Sequence, residues 1–116
     1  MTSSATSNVP LIDIHPDQWA IVCNILQTHV PQYEVWVFGS RAKRTAKAYS
    51  DLDLAIITTT PLNIGVSANL REAFGESDLP WKVDVVDWAT TSKQFQEIIE
   101  RDKVSVQVRQ VSQDLD

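Results

Sequence analysis

A chain of 116 residues, 43% of them hydrophobic, has room for one core and not two. Its formal net charge of −5 argues against a sequence-independent grip on nucleic acid or on an anionic membrane, because that grip depends on summed Lys and Arg charge. With Cys23 as the lone cysteine, neither an intrachain disulfide nor a structural thiolate zinc site can form.

A single domain is expected over residues 11–110, after a loose tail over residues 1–10, MTSSATSNVP, that lacks the basic start and apolar middle of a signal peptide. No apolar run approaches the roughly 18 residues that a membrane span needs. The expectation is a soluble protein of the reducing cytoplasm.

In chain order, Pro16 suits the first position of a helix and Asp17 its first turn, while Trp19, Val22, Ile25, Leu26 and Val30 recur at helical spacing. A first helix is predicted over 16–29, stopped by Pro31. Tyr33 to Phe38, YEVWVF, is β-branched and aromatic and reads as a strand that ends at Gly39. Ser40 to Arg44 can open a short helix, followed by a loop to Ser50. Asp51 to Thr58, DLDLAIIT, reads as a second strand, with Asp51 and Asp53 on one face and Leu52 and Leu54 on the other. A second long helix is predicted over 62–79 from Leu62, Val66, Leu70, Ala73 and Phe74, its ends weakened by Gly65 and Gly75. In the third strand, WKVDVVDW over 81–88, Val83, Val85 and Asp87 face one way and Lys82, Asp84 and Val86 the other. Thr91 and Gln94 have capping-box spacing ahead of a last helix, and VSVQV after it reads either as a short strand or as a fraying helix end. The order predicts an α/β (α+β) domain, a small mixed sheet flanked by helices, with the pairing of the first two strands open between parallel and antiparallel.

Charge is unevenly placed. No Lys or Arg precedes Arg41, and then Arg41, Lys43, Arg44 and Lys47 fall within seven residues. The run is either a solvated basic turn or the place where an acidic protein meets a small anion. Two features favour the anion. A glycine after a strand lets backbone approach a ligand, and a helix opening there aims N–H groups at it, with Ser40 adding a hydroxyl and Arg41 a charge-assisted bond to phosphate. Asp51 and Asp53, side by side at the border of an oily strand, repel and desolvate badly without a cation between them, and Asp oxygens suit Mg²⁺ shared with substrate phosphates. A third carboxylate would allow two ions; Asp84, inside an apolar strand, is the candidate, with Asp87 as its substitute. Taken one at a time, a turn cap, an edge-strand carboxylate and a salt bridge are the commoner fates of Asp51, Asp53 and Asp84. Neither the P-loop nor the dinucleotide GxGxxG pattern is present.

Gly39-Ser40, ten residues, then Asp51-Leu52-Asp53 resembles the signature of the polymerase-beta-type nucleotidyltransferases, and the small size resembles their minimal (MNT) branch. The resemblance spans Tyr33 to Trp88 and puts Asp84 at the position of the third aspartate. It implies that Gly39, Ser40 and Arg41 bind the nucleotide, that Asp51, Asp53 and Asp84 are catalytic and hold two Mg²⁺ ions, and that Asp84 is able to take the proton of the incoming hydroxyl. It also implies transfer of a nucleoside monophosphate, AMP from ATP, to a hydroxyl of a partner HEPN-domain toxin, a tyrosine among the candidates, the chain acting as antitoxin. Two other functions compete: a binding module that neutralises a partner by contact alone, and a small-molecule adenylylating enzyme, disfavoured because too few residues follow Trp88 to build a second domain. Trp81 and Trp88 are left open between core and interface.

Overall fold

A computed structural model describes residues 9–109. The tail expected over 1–10 lies outside the described residues except for Val9 and Pro10, and Val9 packs against the core. The helix α1 spans Pro16–His29, β1 Glu34–Phe38, α2 Ser40–Lys43, β2 Leu52–Ile57, α3 Ile64–Gly75, β3 Val83–Asp87, α4 Lys93–Asp102 and β4 Val104–Gln107, with a 3₁₀ turn Trp88–Thr90 between β3 and α4. The strands form one sheet in the order β3-β2-β1-β4.

Pairing of β1 with β2 is antiparallel, of β2 with β3 parallel, and of β1 with β4 antiparallel. Of the two readings left open for VSVQV the strand is the one found, over Val104–Gln107, and it gives the sheet its fourth strand. Alternation along each strand sorts the side chains onto two faces. Val35, Val37, Leu52, Leu54, Ile56 and Val85 point to the face covered by α1 and α3, where Val22, Leu26, Leu70 and Phe74 complete the larger core. Trp36, Phe38 and Ala55 point to the other face, closed by Ile99 of α4. Phe38 meets Phe95 edge to face at 5.6 Å, and Trp36 meets Trp88 at 5.1 Å, in the T-shaped geometry that aromatic quadrupoles favour.

Two helices depart from the sequence expectation. α3 starts at Ile64 because the Asn63 side chain accepts from the amides of Gly65 and Val66, and it stops at Gly75 rather than near Leu79. α4 is capped by Ser92, whose hydroxyl accepts from the amide of Phe95, and not by Thr91. The Thr91 hydroxyl donates instead to the carbonyl of Asp87 at 2.7 Å. Trp81, 7% exposed, belongs to the core, while Trp88 is half-buried.

Candidate active site

The pairing brings three strand ends to one place. Because β1 and β2 run antiparallel while β2 and β3 run parallel, the end of β1 and the starts of β2 and β3 share one edge of the sheet. Phe38 stands opposite Asp53, and Asp53 opposite Asp84, in a single row on the face that carries α4. Neighbouring strands are about 4.8 Å apart, so the two carboxylates are forced to be neighbours. Asp51 precedes β2 by one residue and is exposed.

Gly39 follows Phe38 with φ 78° and ψ −159°, a conformation essentially confined to glycine. A Cβ there would run into the carboxylate of Asp53, lying 3.2 Å from its Cγ even before the oxygen is counted. The glycine is thus required twice over, by dihedral angle and by the approach of Asp53. α2 opens at Ser40, so its first amides, which have no partner within a helix, begin beside that carboxylate.

The electrostatics agree with the geometry. Burial, then the charge of Asp84, then that of Asp51 push the Asp53 carboxyl up to about 6. A site that raises its own carboxylate in this way is short of positive charge, and its donor set is all oxygen, open to solvent and suited to Mg²⁺. As the side chains stand, no three His, Cys, Asp or Glu groups among the described residues are gathered closely enough to hold an ion. Asp84 instead leans toward Lys82, 3.8 Å away, in an exposed ion pair.

Asp87, the substitute for Asp84 in the sequence reading, points to the opposite face. Its Oδ2 accepts from the amide of Leu62 at 2.7 Å, and its Oδ1 from the Thr58 hydroxyl and the amide of Ala89. Its carboxylate fastens β3 to the segment after β2 and is not beside Asp53.

Arg41 is not where a phosphate ligand would stand. It is 4% exposed, and its guanidinium lies 4.4 Å over the ring of Trp81. Nε and Nη2 both donate to the carbonyl of Ser50, at 3.0 and 2.9 Å, Nη2 also to that of Ala48, and Nη1 to that of Asp13 at 2.6 Å. Four of its donors are thus committed to main chain. Asp13 was missed by the sequence reading altogether: it lies 28 residues from Arg41, and no local pattern connects them.

A model of the family described as polymerase beta, nucleotidyltransferase matches residues 21–110, well over half of the chain. The chain belongs to the polymerase-beta-type nucleotidyltransferases. Among relatives in that family, the probable protein adenylyltransferase MntA of Haemophilus influenzae is 56% identical over 99 residues, which cover 85% of this chain and 87% of the relative. Similar solved structures include a toxin–antitoxin complex with AMP-PNP, at TM-score 0.65 and 22% identity over 78% of this chain and 73% of that one. Another is a tri-AMPylated Shewanella oneidensis HEPN toxin with its MNT antitoxin, at TM-score 0.58 and 18% identity over 78% and 71%. At such identities the solved structures establish that the nucleotidyltransferase fold is shared.

Proposed function

We propose that the chain is a Mg²⁺-dependent protein adenylyltransferase that moves AMP from ATP to a tyrosine hydroxyl of a HEPN-domain toxin, and thereby serves as its antitoxin. The observation that supports this most is the row that sets Asp53 against Asp84 with Gly39 closed down on Asp53. The 56% identical relative supports the choice of a protein as acceptor, since its name gives that activity. The nucleotide in one similar complex and the AMPylated HEPN toxin in another support AMP and the partner.

In this reading Asp51, Asp53 and Asp84 would hold two Mg²⁺ ions, which when bound would neutralise the triphosphate and polarise its α-phosphorus. The backbone of Gly39 and the start of α2 take the phosphates, with the hydroxyl of Ser40. The acceptor oxygen attacks the α-phosphorus, the bond to the bridging oxygen of the β-phosphate breaks, pyrophosphate leaves, and the hydroxyl proton passes to a carboxylate oxygen of Asp84. The Asp84 side chain is half-exposed and pairs with a surface lysine, an interaction weak enough to let it turn toward Asp53.

Replacing Asp51 and Asp53 together by Asn tests the reading against neutralisation by contact alone. The expected result is a variant that still co-purifies with the HEPN partner but no longer protects cells from it. Protection that survives the substitution would contradict catalysis as the means of neutralisation.

A further inference from the structure

The loop between α2 and β2 delivers Asp51 and Asp53, and the structure shows how it is held. Lys47 and Ser50 close a turn on themselves: the Lys47 amide donates to the Ser50 hydroxyl at 2.9 Å, and the Ser50 amide to the Lys47 carbonyl at 3.1 Å. Arg41 then grips that turn from inside, with two N–H groups converging on the carbonyl of Ser50, the residue just before Asp51. On the other side of Asp51, the Leu52 amide donates to the carbonyl of Lys82 at 2.9 Å. The main chain of Asp51 is therefore fixed on both flanks, by Arg41 and by the start of β3.

Arg41 is itself fixed by the segment before α1. The amide of Asp13 donates to the Arg41 carbonyl at 3.0 Å, while Nη1 of Arg41 donates to the Asp13 carbonyl at 2.6 Å, a reciprocal pair. The Asp13 carboxylate reaches further along the same loop. Oδ2 accepts from the amide of Ala46 at 3.1 Å, and Oδ1 is 3.3 Å from Nε of Arg44, which stands in the left-handed conformation at φ 66°. Trp81 forms the floor beneath the guanidinium.

From this network we propose that Arg41 and Asp13 are positioning residues, a clamp that sets the Asp51–Asp53 carboxylates against the Gly39–Ser40 turn, and that Arg41 acts through Ser50 and not by touching phosphate. The proposal rests on the reading of that turn as the nucleotide site. The planar fork of an arginine spans three carbonyls at once; a lysine ammonium, a single point with three donors, does not. A small displacement of catalytic groups is costly out of proportion to its size, which gives the clamp a functional consequence beyond stability.

The test uses the full chain, with Mn²⁺ and AMP-PNP as the probe, and compares Arg41→Lys, Asp13→Ala and Val22→Ala. Val22 is a fully buried apolar residue of α1 with no side-chain group able to hydrogen-bond the loop, so its variant loses stability without removing a bond of the clamp. Expected is a loss of nucleotide affinity of at least about tenfold for Arg41→Lys and about threefold for Asp13→Ala, with Val22→Ala unchanged at equal or larger loss of Tm. Equal loss in Arg41→Lys and Val22→Ala, or affinity within twofold of the parent in Arg41→Lys, would overturn the clamp. Amide exchange at Ala46, Lys47 and Ser50 provides a readout that needs no ligand. Faster exchange there in Arg41→Lys, with Val35 and Val37 unchanged, supports the clamp; unaltered exchange, or a uniform rise, refutes it. A parent chain that bound no nucleotide would sink the transferase reading, while exchange still decided the clamp.

Discussion

Two residues concentrate the chemistry of the site in their local strain. Gly39 adopts a backbone conformation that side chains avoid and leaves no room for a Cβ beside Asp53. Gly39→Ala is expected to destabilise the chain by about 1–3 kcal/mol, read as a lower midpoint in urea unfolding, and to abolish nucleotide binding. Asp53 is held above its ordinary range, at about 6, by burial and by two neighbouring carboxylates. In the metal-free chain the folded state keeps the Asp53 proton to higher pH than the unfolded state does, so stability falls as pH rises from about 4 through about 6 and the penalty is complete above that. Asp53→Asn removes the penalty. Its Tm at pH 7.5 is expected to exceed that of the parent, the two converging at pH 4, while transfer activity is lost. A parent Tm flat between pH 4 and 6.5 would contradict the strained carboxylate.

At the scale of the element, β3 separates two aspartates that composition treats alike. Asp84 lies on the face of Asp53 and is half-exposed, whereas Asp87 has both oxygens engaged by Thr58, Leu62 and Ala89. Asp84→Asn, which removes one of the charges that raise Asp53, is expected to melt at or slightly above the parent Tm at pH 7.5 and to lose transfer. Asp87→Ala is expected to cost about 2 kcal/mol of stability, through the amide and hydroxyl it leaves unpaired, while retaining nucleotide affinity. Thermal melts and a binding titration on the two variants distinguish these roles. Strand periodicity alone puts residues 84 and 87 on opposite faces and residues 51 and 53 on the same one, yet the sequence left Asp87 standing as the substitute, because it does not say which face of β3 meets Asp53. What was not legible depended on partners distant in the chain. Arg41 reads as a phosphate ligand in isolation, and only the carbonyls of Asp13, Ala48 and Ser50 converging on it reveal a buried brace. The start of α4 misled for a nearer reason: Thr91 and Ser92 are both competent caps, and the carbonyl of Asp87 claims the threonine. β4 is four residues long, too short for its own pattern to tell a strand from a fraying helix, and its place is fixed by β1.

Over the whole molecule, the sheet order leaves β3 and β4 as its edges, and each is managed differently. Arg71 from α3 donates Nη2 to the carbonyl of Val85 at 2.9 Å and so ties β3 to α3. β4 covers β1, the strand that leads to Gly39, and is tied down by Gln107, whose Nε2 donates to the carbonyls of Val30 and Tyr33. A chain cut after Asp102 would expose β1 as an edge of alternating valine and aromatic residues. The expected outcome is aggregation on size-exclusion chromatography, with loss of the cooperative melt.

The same architecture leaves the row of Asp53 and Asp84 at one end of the strands, on the face that carries α4 and Trp88, where a partner's hydroxyl would have access. Transfer itself is read from the intact mass of the proposed HEPN partner after incubation with this chain, Mg²⁺ and each of the four nucleoside triphosphates. Addition of AMP units to the partner is expected with ATP alone, and is expected to be absent with the Asp53→Asn variant. A partner that gains no mass with any nucleotide, while still forming a complex with the chain, would contradict it.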